Sequence, residues 1–136
     1  MIVCGMEMAA SESRLVLLSG NKSDFRHIDV KPRKIKIADD ENAEEVRAFR
    51  DSLFAFLSVK NVDIVAIKKR GKKGEYAGGP IGFKLEAIAQ LHDECQVSLI
   101  AARTITANIN RHSPQTPDTL LKYQYAAFQT AFTVLP

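Results

Sequence analysis

The chain has no tryptophan, two cysteines and three histidines among its 136 residues. Each shortage removes a class of protein. Cys4 and Cys95 stand far apart and form no CxxC pair, so neither a disulfide framework nor a structural zinc site is expected. Both thiols read as small buried apolar groups, and a reducing, cytoplasmic setting is the expectation. His27, His92 and His112 show no metal-ligand spacing and are read as surface or capping residues. No apolar run approaches the roughly 18 residues that span a bilayer, so no membrane association is expected. The opening stretch MIVCGMEMAA has no basic leader before a long apolar core and does not read as a signal peptide. A net charge of +3 is too small for a global polycation. There is also no G-x-x-x-x-G-K-[ST] phosphate loop.

The sequence does have apolar content of 46%, enough for one globular domain over residues 1–136. It also has two local clusters of positive charge, KPRKIK at 31–36 and KKRGKK at 68–73. An approaching anion responds to such clusters rather than to the average. Strands are expected over Ile2–Met8 and Arg14–Ser19, with a third extended piece between Phe25 and Ile37, where Pro32 favours an edge or a late start. A helix should follow Asp39 or Asp40 as N-cap, with Val46, Phe49, Leu53, Phe56 and Leu57 on one apolar face as far as about Val59. VDIVAI at 62–67 and VSLIA at 97–101 read as strands covered on both faces. Between them, Pro80 opens a helix whose apolar set is Ile81, Leu85, Ile88 and Leu91. RTITANI suits a short helix, and a last one should run from about Pro117 to Phe132. Phe83, Phe128 and Phe132 read as core or dimer-contact residues. Three meander strands followed by helix, strand, helix, strand, helix give a mixed α/β sheet with helices packed on it.

Local residues narrow this order further. CGMEM at 4–8, VDIVAI with the following GGPIGFKLEAIAQL, and VSLIAARTITANI together resemble the ribonuclease H-like fold in its Holliday-junction resolvase branch. More closely, the stretch KKG-x-x-AGG-x-x-x-F-K-L-E, Lys72 to Glu86 here, resembles the family of small bacterial proteins designated domain of unknown function 3010. The resemblance implies an α/β, ribonuclease H-like domain: a mixed five-stranded sheet, three strands antiparallel and the rest parallel. It also implies where catalytic groups would stand. Active nucleases of this superfamily hold two metal ions, Mg or Mn, between carboxylates. Glu7 matches the first acid. Lys68 stands where the second should be, and a lysine repels a cation. For the acids of the final helix Asp118 is the one local candidate.

Lys68 is then expected beside Glu7 on a neighbouring strand, pairing with it. That pair reads first as a structural ion pair, next as a degenerate catalytic centre kept for binding, and only in third place as a lysine poised for base or nucleophile chemistry. Lys68, Lys69, Arg70, Lys72 and Lys73 read either as a solvated loop or as an anion clamp. Gly78 and Gly79 would let a phosphate approach the helix that Pro80 begins, Tyr76 could stack on a base, and Arg103 could extend the surface. The leading expectation is a module that binds nucleic acid or another phosphorylated ligand without cofactor and without efficient cleavage. A metal-dependent nuclease using Glu7 is the alternative. A structural or partner-binding homodimer is the third class.

Overall fold

A computed structural model describes residues 1–72 and 79–136. Strands β1 (Ile2–Ala9) and β2 (Glu12–Asn21) form an antiparallel hairpin around Ala10 and Ser11, with Ala10 at φ 51°. β2 carries two further strands on its other edge, β3 (Asp24–Ile28) and β4 (Lys34–Lys36), both antiparallel to it. Helix α1 (Ala43–Val59) leads to β5 (Ile64–Lys68), which lies parallel to β1. Helix α2 (Pro80–Gln90) leads to β6 (Gln96–Ile100), parallel to β5. Then come α3 (Ala102–His112), a 3-10 turn at Lys122–Gln124 and α4 (Tyr125–Thr133). The sheet order is β3-β2-β1-β5-β6, with β4 beside β2.

This is the mixed, ribonuclease H-like sheet with helices on both faces that the sequence led us to expect. The third extended piece divides, however, so that six strands form rather than five. Lys31–Pro32 falls in the break between β3 and β4, where a proline has no ladder hydrogen bond to lose. Four smaller differences have local causes. The N-cap of α1 is Asn42 rather than Asp39 or Asp40: its side chain accepts the Glu44 and Glu45 amides at 2.9 and 3.4 Å. α4 starts at Tyr125, because Pro117 to Leu121 are extended or turned. Leu91 lies past the last turn of α2 and is 69% exposed. β6 closes the sheet as an edge, so its residues are half-buried instead of covered.

Strand alternation distributes the core. Cys4, Met6 and Met8 of β1 face α1 and α2, together with Leu15, Leu17, Val65, Ile67 and Leu85. Burial pushes the Cys4 thiol pKa far up, so this sulfur acts as packing only. Val3, Val16 and Leu18 face α4, against Ala127, Phe128 and Phe132. α4 comes so close to β1 that a Cβ on Gly5 would lie 2.1 Å from the Ala127 carbonyl oxygen and 2.7 Å from the Ala131 amide nitrogen. At the N-terminal end of β1, the Lys22 ammonium donates to the carbonyls of Thr133 and Leu135 and ties down the chain after α4.

Candidate nucleic-acid interface

The charged residues of interest lie at the C-terminal end of the parallel strands. The parallel register of β1 and β5 ends at Met6↔Ile67, and Glu7 and Lys68 are the next residues on the two strands. Val3 and Gly5 of β1 face α4, so Glu7 shares that face, and Arg14 of β2 is its cross-strand partner. The expected pairing with Lys68 is replaced. The ion-pair partner of Glu7 among the described residues is Arg14, whose Nη1 lies 3.5 Å from Oε1. Directly opposed strand positions bring side chains close enough to pair, and the forked guanidinium reaches two acids at once. Arg14 Nε also donates to Glu12 Oε2 at 2.9 Å. The hydrogen bond that Arg14 donates to Glu12, together with the charges of Glu12 and Glu7, raises the Arg14 pKa above its ordinary value despite some burial.

The network continues along β4. Lys34, opposite Arg14 in register, puts its Nζ 4.0 Å from Glu12 Oε1 and 4.9 Å from the centre of the Tyr123 ring. The Arg14 guanidinium lies 5.7 Å from the centre of the same ring. Glu7, Glu12, Arg14, Lys34 and Tyr123 therefore form one cluster, and Lys68 stands beside it, half-buried at the end of β5. Among the described residues no three of His, Cys, Asp and Glu gather to hold a metal ion. This donor set does not fit a two-ion centre. Glu7 is already paired with a guanidinium, and Lys68 adds a second positive charge at the same end of the sheet.

The basic loop splits by orientation. Lys69 and Lys72 are exposed, and the Lys69 amide continues the ladder to the Ile100 carbonyl at 2.9 Å. Arg70 turns inward. Its amide donates to the buried carboxylate of Glu86 at 3.0 Å, and its Nη1 donates to the Met8 carbonyl. It lies so close over α2 that a Cβ on Gly82 would meet Arg70 Nε at 2.6 Å. Arg70 thus fixes the loop to the domain and does not stand with the free cations. Gly79 is the N-cap of α2 and Pro80 its first residue; among the described residues nothing lies within 4 Å of a Cβ on Gly79, and the first turn carries no acid. Arg103 is exposed in the first turn of α3, three residues past Ile100, the register partner of Lys68. Lys73, Gly78 and Tyr76 lie outside the described residues.

Asp118 is placed elsewhere. It lines a cleft with Lys22, Asp24 and His27 at the N-terminal end of β1. His27 pairs with Leu18, and Leu18 with Val3, four residues before Glu7 on β1. That is about 13 Å away along the strand. Asp118 and Glu7 do not share a site. Arg14, Glu12, Lys34 and Tyr123 were not candidates from sequence. The signal that could have found Arg14 is the hairpin: a two-residue turn at Ala10 and Ser11 sets Glu7 opposite Arg14.

The fold is similar to solved resolvases. Thermus thermophilus RuvC matches with a TM-score of 0.74 at 11% identity, over 98% of this chain and 92% of that one. T. thermophilus RuvC in complex with a Holliday junction substrate matches with a TM-score of 0.67 at 12% identity, over 98% and 91%. Fowlpox virus resolvase in complex with Holliday junction DNA gives 0.52 at 13% identity, over 98% and 91%. No curated protein matches the chain. The family model described as protein of unknown function (DUF3010) matches residues 1–134, and the chain belongs to that family.

Proposed function

We propose that the protein is a nuclease-derived module that binds nucleic acid, with a branched junction as its first candidate ligand, and does not cleave it efficiently. The observation that supports this reading is the Arg14–Glu7 pair with Lys68 at the end of the neighbouring strand: if the resemblance to two-metal nucleases holds, cations stand where carboxylates would be needed. What remains favours an anion. Lys69, Lys72 and Arg103 are exposed around the C-terminal ends of β5 and β6, and the first turn of α2 carries no acidic residue. The names of the similar structures, a resolvase with its Holliday junction among them, support a four-way junction as the first probe.

Anisotropy titrations of labelled four-way junction, duplex and single-stranded DNA over a salt series test this. Affinity should fall steeply with salt, and replacing both Lys69 and Lys72 by Gln should lower the log–log slope by about 2. Binding indifferent to salt and to both substitutions would dismiss the reading. In parallel, incubation with Mg or Mn should give no cleavage that depends on Glu7. Cleavage abolished by Glu7→Gln would establish the metal-dependent nuclease instead.

A further inference from the structure

A second surface lies away from this site, where α1 meets the β3–β4 connection. There a groove of about 490 Å³ has Ile35, Phe56 and Val59 as its apolar wall, with Lys31, Lys34 and Lys60 around it and no carboxylate among its lining residues. Val59 is 71% exposed, although it ends a helix whose other large apolar residues are mostly buried. The Lys34 ammonium is turned to Tyr123 and Glu12, so Lys31 and Lys60 supply the uncommitted charge. Beside the groove runs β4, which pairs with β2 on one edge and with no described strand on the other.

We infer that this groove docks an extended, acidic segment of a partner protein, one that carries a large aliphatic or aromatic side chain among its Asp and Glu residues. Each part of the surface selects one feature of such a segment. The open edge of β4 offers main-chain hydrogen bonds to an extended chain. The Ile35–Phe56–Val59 wall receives an apolar side chain, and burying it supplies the hydrophobic gain. Lys31 and Lys60 attract flanking carboxylates and speed encounter. A nucleic acid fits less well, because the floor between the lysines is formed mainly by Ile35, Phe56, Ala55 and Val59, which suit an apolar side chain better than a phosphate backbone.

The full-length chain should be titrated with labelled peptides in which Asp and Glu flank a Leu or Phe. The counterparts are peptides with Asn and Gln in place of the acids, or Ser in place of the apolar residue. The acidic, apolar peptides should bind, and each counterpart should bind at least about tenfold more weakly. Val59→Asp, and separately Lys31→Glu combined with Lys60→Glu, should each weaken binding by at least about the same factor. Circular-dichroism melts show whether the variants stay folded; Lys31 and Val59 are exposed and leave the core intact. The inference fails if no acidic, apolar peptide binds, if the variants bind as tightly as the original chain, or if duplex or single-stranded DNA displaces the peptide from this surface. Because Lys69 and Lys72 take no part, loss of peptide binding here and loss of DNA binding there are separate results.

Discussion

Arg14 and Arg70 stand on opposite faces of the same end of the sheet, and the comparison shows how surroundings set a side chain's task. On the α4 face, Arg14 lies between two carboxylates and over an aromatic ring, with 28% of its side chain exposed. It cancels charge where charge would otherwise accumulate. On the α2 face, Arg70 packs onto Gly82 and bonds the Met8 carbonyl while its amide goes to buried Glu86. It cancels nothing and instead anchors a loop. An arginine count across this region would treat the two alike. The first shapes the electrostatics of the candidate site, and the second holds the site's scaffold.

The largest effect is expected at Gly5, the close approach behind Arg14's face. Gly5→Ala places a methyl against the α4 backbone, which cannot yield without moving the helix, and should cost about 3 kcal/mol in denaturant unfolding. Gly82→Ala on the other face has the Arg70 side chain as its nearest neighbour, and a side chain shifts more readily than helix backbone does. Its cost should be less than half as large, partly offset by about 1 kcal/mol of improved helix propensity. Equal effects at the two glycines would contradict this distinction between backbone and side-chain walls.

Arg70→Ala comes next. It removes the bond to the Met8 carbonyl and leaves a void over Gly82, and should cost about 2 kcal/mol by thermal or urea melts. Arg14→Ala breaks partly exposed ion pairs and should cost about 1 kcal/mol or less. A larger loss from Arg14 than from Arg70 would reverse the assignment of the two roles.

The smallest effect is a pH dependence at the far end of the sheet. Burial lowers the pKa of His27 below its ordinary 6.5, and the ring lies 2.6 Å from Thr119 Oγ1. As pH falls through about 6.5 the unfolded chain takes up the proton before the folded one does. Stability present at neutral pH is therefore lost progressively below that value. Tm measured from pH 7.5 downward should fall more gently in His27→Gln than in the original chain.

Much of the fold was legible in the sequence because apolar periodicity is dictated by burial. VDIVAI reads as a covered strand, and Val65, Ala66 and Ile67 are indeed fully buried. Phe49, Leu53, Phe56 and Leu57 mark the inner face of α1 by spacing alone. The site was legible only in part. Glu7 and Lys68 were placed on adjacent strands by the superfamily order, but partner choice depends on register and side-chain reach, which short motifs do not encode. Arg14 lies seven residues from Glu7 in sequence and directly across from it in space. Arg70 sits in a run of cations and looks like one of them. Only the position of Gly82 beneath it and Glu86 behind its amide reveals that it turns inward.

The attachment of α3 has a further consequence. One of its residues, Ile105, is fully buried; Ile109 is partly so, and His112 stacks edge-on against Phe132 at 5.9 Å. A helix held by so few groups is expected to exchange its amides through local opening before the sheet does, which hydrogen-exchange measurements would check. Arg103 rides on that helix. Movement of α3 would therefore carry Arg103, and the charge it adds past β6, while leaving the domain beneath it in place.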